Sequence, residues 1–247
     1  MVRTGLLGLV LAFLAAPFSG FFTNGAFWQQ ASLSAQDWAS IATSLLGGVA
    51  AMLVIILLGT PVAFYLARQQ GRCVVLVEAL VLALALMPTL ALGILLAVVY
   101  GPAAPLGRLF GALGVALTNT PAAFLLATIY AALPTYIIAA RGAVAQVPRD
   151  YEALARTLGD SPLRARWRVT IPLAKRGLST ALALAWVRAL GEFGIILIVA
   201  YYPAGMPVRL WTDVQDLGLQ AVFPLVGVFL LVTLPAPLWL GLRSRRA

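Results

Sequence analysis

Apolar residues run along this chain in long blocks and do not alternate with polar ones. Six blocks stand out, at 5–22, 41–66, 74–100, 120–141, 178–200 and 222–242. A helix needs about 20 apolar residues to cross about 30 Å of hydrocarbon. The pattern therefore predicts an all-α integral membrane protein of about six transmembrane helices, forming a single domain over 1–247. The first block follows Arg3 and ends near Ala15-Ala16-Pro17, which is also the outline of a cleaved signal peptide. Proline after the small residues, and apolar residues continuing to Phe22, predict that this helix is retained.

Composition agrees with the pattern. Of 247 residues, 62% are apolar and 10% are charged. A soluble domain carries about a quarter charged residues, so this chain has too few to cover itself in water. The net charge of +9 does not point to nucleic acid, because the basic residues cluster between the apolar blocks. Arg3, Arg68, Arg72, the stretch from Arg141 to Arg176, and Arg243, Arg245 and Arg246 fall on one side. The opposite loops hold Arg108 and Arg209 with Asp37, Asp213 and Asp216. The positive-inside rule places the first set, and both termini, in the cytoplasm, where these arginines also meet anionic lipid. The single cysteine, Cys73, excludes an intrachain disulfide, and the absence of histidine excludes histidine-ligated haem or zinc and imidazole catalysis.

Several blocks contain helix breakers: Pro61, Pro88, Pro134 and the pair Gly191/Gly194. In lipid these require neighbouring helices or a water-lined cavity to satisfy the freed carbonyls. Packing kinks explain each alone; together they predict a bundle with irregular interior backbone. No internal repeat is evident. Arg188 and Glu192 are the most deeply placed charges, each costing about 3 kcal/mol alone in a span. They are four residues apart on one face, so mutual neutralisation competes with a role along a translocation path. Arginine before glutamate is the less favoured order for a helical pair, which hints at a further partner across the bundle. Glu78, near a helix end, reads as snorkelling to water.

The polar stretch 142–177 is the most informative. A short helix begins near Pro148, with Asp150 and Glu152 in its first turn, Arg156 in its last, and Gly159 as the left-handed residue that ends it. Tyr151, Leu154, Ala155 and Leu158 form one apolar stripe. A second short helix has Ser161 as N-cap and Pro162 as first residue, and Pro172 marks the next segment. The stripe needs a cover: the bilayer surface, the bundle, or a groove on a soluble partner.

From Gln146 to Pro172 the stretch resembles the EAA loop of permease subunits of binding-protein-dependent ABC importers. Aligned on Gly159, nine residues lead to Val169-Thr170-Ile171-Pro172, in place of the family's Ile-x-Leu-Pro. Leu154 and Ala155 take the two alanine positions, Ala153 the glutamate position, and Glu152 lies one residue early. That departure keeps the helix-turn-helix shape and removes the basis for an ion pair from the glutamate position. Glu78-Ala-Leu, Met87-Pro88-Thr89 and Gly93 resemble the third helix of these permeases. Arg188-Ala-Leu-Gly-Glu192-Phe-Gly194 resembles the fifth-helix signature of permeases for molybdate, tungstate and sulfate, and Tyr201-Tyr202-Pro203 with Ala204-Gly-Met-Pro207 looks most like the tungstate/molybdate branch.

The resemblance implies the type I ABC importer permease fold and a non-catalytic subunit importing a tetrahedral oxyanion, tungstate or molybdate before sulfate. It implies a homodimer with two ATP-binding cassette subunits, which bind ATP and Mg²⁺, and an external solute-binding protein. It assigns coupling to the ATPase to Arg149, Asp150, Tyr151, Glu152, Ala153, Leu154, Ala155, Arg156, Thr157, Leu158, Gly159, Asp160 and Ser161. It assigns the path or gate to Pro88, Thr89, Arg188, Gly191, Glu192, Phe193 and Gly194. No cofactor, metal or catalytic residue is expected in the chain, which has no Gly-x4-Gly-Lys-Ser/Thr loop and a single lysine, Lys175. The alternative is a passive channel or a proton-coupled carrier titrating Glu192; an intramembrane enzyme lacks candidate residues.

Overall fold

The computed structural model describes residues 2–23, 32–236, 238 and 239, and all regular structure among them is helical. Helix α1 covers Val2–Thr23 and α2 covers Ala35–Arg68. At 34 residues, α2 is roughly 50 Å long and overshoots the apolar block 41–66 at both ends. Its start is set by a capping box: Asp37 N–H donates to Ser34 Oγ at 3.1 Å, and Ser34 N–H donates to the Asp37 carboxylate at 2.8 Å.

The block 74–100 is not one straight span. It divides into α3 (Arg72–Leu86) and α4 (Thr89–Tyr100), which meet at 113°. Pro88 disfavours helical backbone at the residue before it and offers no N–H of its own, and Met87 is extended at φ −65°, ψ 137°. Pro61 and Pro134, by contrast, lie inside continuous helices. After α5 (Pro105–Ala112) comes α6 (Pro121–Ala145), capped by Thr120 Oγ1, which accepts from Ala123 N–H. The loop that follows carries α7 (Arg149–Thr157) and α8 (Pro162–Ala165).

The expected second short helix does not stop before Pro172. The π turn Arg166–Thr170 carries α8 without a break into α9 (Ile171–Leu190), Ile171 N–H donating to the Arg166 carbonyl five residues back. The wider turn lets the chain continue helically into a proline that has no N–H to give. The block 178–200 is split after Leu190, with α10 resuming at Gly194–Val199. Helix α11 covers Met206–Leu217 and α12 covers Phe223–Thr233.

Among the described residues, Gly5–Thr23, Ala35–Arg68 and Pro121–Ala145 are each long and apolar enough to cross a membrane, and the bent pair α3–α4 counts as a fourth. Among the described residues, six uninterrupted spans are therefore not seen. The fifth block is cut at 191–193 and α9 carries Lys175, Arg176 and Arg188, while α12 has 11 residues. Residues 240–242 of the last block and Arg243, Arg245 and Arg246 lie outside the described residues.

Helix α6 is the centre of the bundle. Between α2, α6 and α9 the buried residues are mostly alanine (Ala51, Ala63, Ala132, Ala140, Ala181, Ala185 and Ala189), which lets the backbones approach closely where lipid supplies no hydrophobic drive. On its other side α6 meets α4 and α10 through Phe124, Ala127, Leu92, Leu96, Ile195 and Val199. The large apolar side chains that point outward, among them Leu53, Leu57, Leu76, Leu80, Leu86 and Val98, make a surface suited to hydrocarbon.

Helices α4 and α10 cross in contact. A Cβ on Gly93 would stand 3.1 Å from Ile195 Cα, and one on Gly194 would stand 2.8 Å from Leu90 N and press on the Thr89 hydroxyl. Away from this crossing, ionic clusters mark opposite ends of α2. At its start Arg209 pairs with Asp37 at 3.0 Å and with Asp213 at 2.9 Å. At its end Arg68 pairs with Glu152. Glu78 pairs with Arg141, so it is not simply reaching for water.

Gly194→Ala is expected to cost about 1–3 kcal/mol of stability by overpacking, seen as a lowered Tm in detergent. Gly111→Ala, with open space around it, is the control and leaves Tm unchanged or slightly raised. Burial pushes the Asp213 carboxyl up from its ordinary 3.8; Arg209 opposes this, and neighbouring Asp37 reinforces it. A raised folded pKa means that ionising Asp213 costs stability, a cost absent below 3.8 and growing as pH passes through the folded value. Asp213→Asn, which leaves the Arg209–Asp37 pair in place, is thus expected to gain stability over the wild type as pH rises from 3.8 through the folded value, and to hold that gain above it. A constant Tm difference across that range would contradict it.

Candidate functional site

The loop segment folds into a helix closed at both ends. Pro148 precedes α7, Asp150 and Glu152 occupy its positively polarised first turn, and Arg156 lies in its last. Gly159 takes φ +97°. Its N–H donates to the Arg156 carbonyl and the Asp160 N–H to the Ala155 carbonyl, both at 3.1 Å, the paired bonds of a Schellman ending. Ser161 then accepts from Arg164 N–H and starts the next helix, while Asp160 pairs with Arg168 at 3.2 Å.

The expected apolar stripe divides in two. Ala155 is buried against the chain, but Tyr151, Leu154 and Leu158 are exposed, Leu158 at 81%. Arg149, Asp150, Ala153, Arg156, Thr157, Gly159 and Ser161 are exposed with them. Beside this face lies an open cleft of about 450 Å³ bounded by Ala153, Arg156, Thr157, Asp160 and Pro162. Of the charged members, Glu152 and Asp160 are the shielded ones, and Glu152 is bound to groups beyond the loop helices. Its Oε1 accepts from Thr170 Oγ1 at 2.6 Å and from Arg68 Nε at 3.0 Å, and Arg68 Nη1 donates to the Val147 carbonyl at 3.0 Å. The acid one position early thus makes a specific ion pair although the family's glutamate position holds alanine.

The second group lies where α4 and α10 begin. Thr89 and Gly194 are in direct contact, with Pro88 just before Thr89, so the structure brings these two of the sequence-derived stretches together. Gly191 ends α9 at φ −83°, ψ 3°. Glu192 is fully buried and both its oxygens are used: Oε2 accepts from Arg188 Nη1 at 2.5 Å, and Oε1 accepts from Ile195 N–H at 2.7 Å. The further partner is therefore local backbone at the start of α10, not a group across the bundle. Phe193 lies against Trp211 of α11, ring centroids 5.8 Å apart. One carboxylate neutralises an arginine and satisfies a backbone N–H freed by the break, which lowers the cost of the irregular segment in hydrocarbon.

Sequence reasoning missed Arg68 and Thr170 as partners of Glu152, Arg141 as partner of Glu78, and the Asp37–Arg209–Asp213 cluster. Each pair lies on one predicted side of the membrane, so matching opposite charges at span ends of one sidedness is the signal that finds them. Among the described residues no group of histidine, cysteine or carboxylate side chains could hold a metal ion.

Glu192→Gln leaves Arg188 without a counter-charge and is expected to lower stability by about 3 kcal/mol; the partial exposure of Arg188 keeps the loss near the low end. Adding Arg188→Met to Glu192→Gln is expected to recover most of that loss, measured as Tm in nanodiscs. Strictly additive losses in this double-mutant cycle would show that the two side chains do not depend on each other.

Residues 59–247 match the family of binding-protein-dependent transport system inner membrane components. A probable molybdenum ABC transporter permease protein of Haloferax volcanii is 39% identical over 191 residues, covering 75% of this chain and 69% of that one. The molybdenum transport system permease protein ModB of Mycobacterium tuberculosis is 38% identical over 151 residues, 61% of this chain and 57% of that protein. The molybdate/tungstate transport system permease protein WtpB of Pyrococcus furiosus is 30% identical over 250 residues, covering 98% and 95%. Among solved structures, a chain of the bacterial alginate ABC transporter in complex with its alginate-bound periplasmic protein superposes with a TM-score of 0.76 at 15% identity, covering 99% of this chain and 94% of that one. A chain of the inward-facing MetNI methionine ABC transporter gives 0.62 at 16% identity, covering 85% and 93%. These two likenesses establish the fold. The chain belongs to the binding-protein-dependent transport system inner membrane component family, a membrane-embedded ABC importer permease in sequence and in fold.

Proposed function

We propose that this chain is the membrane-spanning subunit of an ATP-driven importer of a tetrahedral oxyanion, molybdate or tungstate before sulfate. It crosses the membrane about six times as one domain over residues 1–247, with the fifth crossing broken at 191–193 and both termini cytoplasmic. Two copies form the path, two ATP-binding cassette subunits bind ATP and Mg²⁺, and an external solute-binding protein delivers the anion. The chain itself contributes no catalytic group and no cofactor. The names of the Haloferax, Mycobacterium and Pyrococcus relatives support the choice of anion.

The observation that carries this reading is the exposed face of Tyr151, Leu154 and Leu158 on a helix fastened at both ends. A nine-residue helix is too short to persist alone, and apolar side chains set outward on it suit a groove on a soluble partner. The basic loops place that face on the side where ATP is available. Pro88, Thr89 and residues 188–194 line a constriction between α4 and α10, where Arg188 attracts an anion and Glu192 prevents its tight capture. The carrier reading built on Glu192 has little support, since both carboxylate oxygens are engaged by Arg188 and Ile195.

Co-expression of the chain with its ATPase and binding protein is expected to give ATP-dependent uptake of radiolabelled molybdate or tungstate. Leu154→Glu with Ala155→Pro places a charge in the docking face and breaks α7 in its interior, at about 3 kcal/mol for the proline alone. Uptake is expected to fall at least about tenfold, with the chain still inserted in the membrane. Uptake at the wild-type rate in that variant would remove the coupling role from α7.

A further inference from the structure

We propose that Arg68, Glu152 and Thr170 form the joint that makes α7 move as one body with α2 and α9, so that Glu152 is a positioning residue for transport and not a contact to the ATPase. The inference rests on the reading of the chain as an ATP-driven permease and goes beyond it by naming how a push on α7 enters the bundle.

Three chain segments meet at one carboxylate oxygen, and a fourth is tied to them through Arg68. Glu152 Oε1 on α7 accepts from Thr170 Oγ1 at 2.6 Å, and Thr170 closes the π turn that runs into α9. Arg68, the last residue of α2, donates to the same oxygen from Nε at 3.0 Å; its Nη2 stands 2.7 Å away without the alignment of a hydrogen bond. Arg68 Nη1 donates to the Val147 carbonyl at 3.0 Å, in the turn that enters α7. The Arg68 side chain is 9% exposed, Glu152 19%, and Thr170 is fully buried. Charge-assisted bonds shielded from water to this degree are strong and directional.

The alternative linkages of α7 are weaker. On either side it connects through two short turns, around 146–148 and 158–161. Ala155 gives it one small buried apolar contact. Leu154 and Leu158 are exposed, and Tyr151, half exposed, only borders an open cleft with Leu173 and Ala174 of α9. Without the joint, a displacement of the exposed face would be absorbed by bending at the turns. With it, α7 cannot move without pulling on the end of α2 and the start of α9. Those two helices pack on α6 through the alanine-lined interface, and α9 leads directly to the break at 191–193. The joint thus lies on a continuous physical route from the loop to the constriction, a route whose coupling is measurable.

The test uses the whole importer in proteoliposomes, with molybdate as probe and three readouts: ATPase subunit retained on purification, ATP hydrolysis rate, and molybdate imported per ATP hydrolysed. Glu152→Gln, Thr170→Val and the exchange Arg68→Glu/Glu152→Arg are compared with the wild type. Glu152→Gln is expected to retain the ATPase and to hydrolyse ATP within about twofold of wild type, while molybdate per ATP falls at least about tenfold. Thr170→Val is expected to fall less, and the exchange to recover at least about threefold over Glu152→Arg alone. Unchanged molybdate per ATP in Glu152→Gln overturns the joint. Loss of the ATPase from Glu152→Gln also overturns it, because Glu152 would then be a docking contact. If the wild-type importer moves neither molybdate nor tungstate, the oxyanion reading fails by itself. The joint is then judged by amide exchange of residues 149–157 in the purified wild-type and Glu152→Gln chains, where equal protection overturns it and at least about tenfold faster exchange in the variant supports it.

Discussion

A peptide N–H or carbonyl left unpaired in hydrocarbon costs several kcal/mol, and the plan of this chain follows from where it meets that demand. Helices α2 and α6 meet it with their own backbone, even across Pro61 and Pro134. The breaks after Leu86 and Leu190 cannot. Both are placed where protein covers them: the start of α4 is pressed against the start of α10, and Glu192 supplies the acceptor for Ile195 N–H. Among the described residues, these two breaks within apolar blocks lie where two interrupted helices shelter each other.

The same demand explains the charges. Arg188 and Glu192 are each costly alone in a span, but the pair neutralises itself and the carboxylate also caps the resumed helix. A single acid thereby allows both a buried arginine and a helix break. Elsewhere, ion pairs gather at the ends of α2, where long side chains reach the interface. Asp37, Arg209 and Asp213 tie α11 to the start of α2, and Arg68 and Glu152 tie α7 to its end. The longest helix of the bundle is therefore fastened to a surface helix at each end.

In the proposed function the two candidate sites divide the work of a permease between them. The loop offers an outward apolar face on a helix whose inner face is anchored by charge. The α4–α10 crossing offers a close approach at Gly93 and Gly194 beside a neutralised charge pair. Between them run α9 and the alanine-lined interface with α6 and α2, which close packing makes stiff.

Much of this was legible in the residues. Block length and the asymmetry of arginine gave a membrane bundle, because a run of about 20 apolar residues has few other uses. Pro148, Gly159, Ser161 and Pro162 gave the loop helix and its ends, since capping depends on local backbone geometry alone. What local sequence could not give is which breaker breaks. Pro61 and Pro134 bend nothing apart while Pro88 turns the chain through 113°, because the outcome depends on what packs around each freed carbonyl. Nor could it give the partners of Glu152 and Glu78, or which half of the stripe on α7 faces outward, since these are contacts between segments far apart in the chain. The sequence by itself determined that the chain belongs in a bilayer, where the first loop helix begins and ends, and where the second begins. The tertiary structure decided which helices are interrupted and where each charge finds its counterpart, because both are properties of neighbours in space.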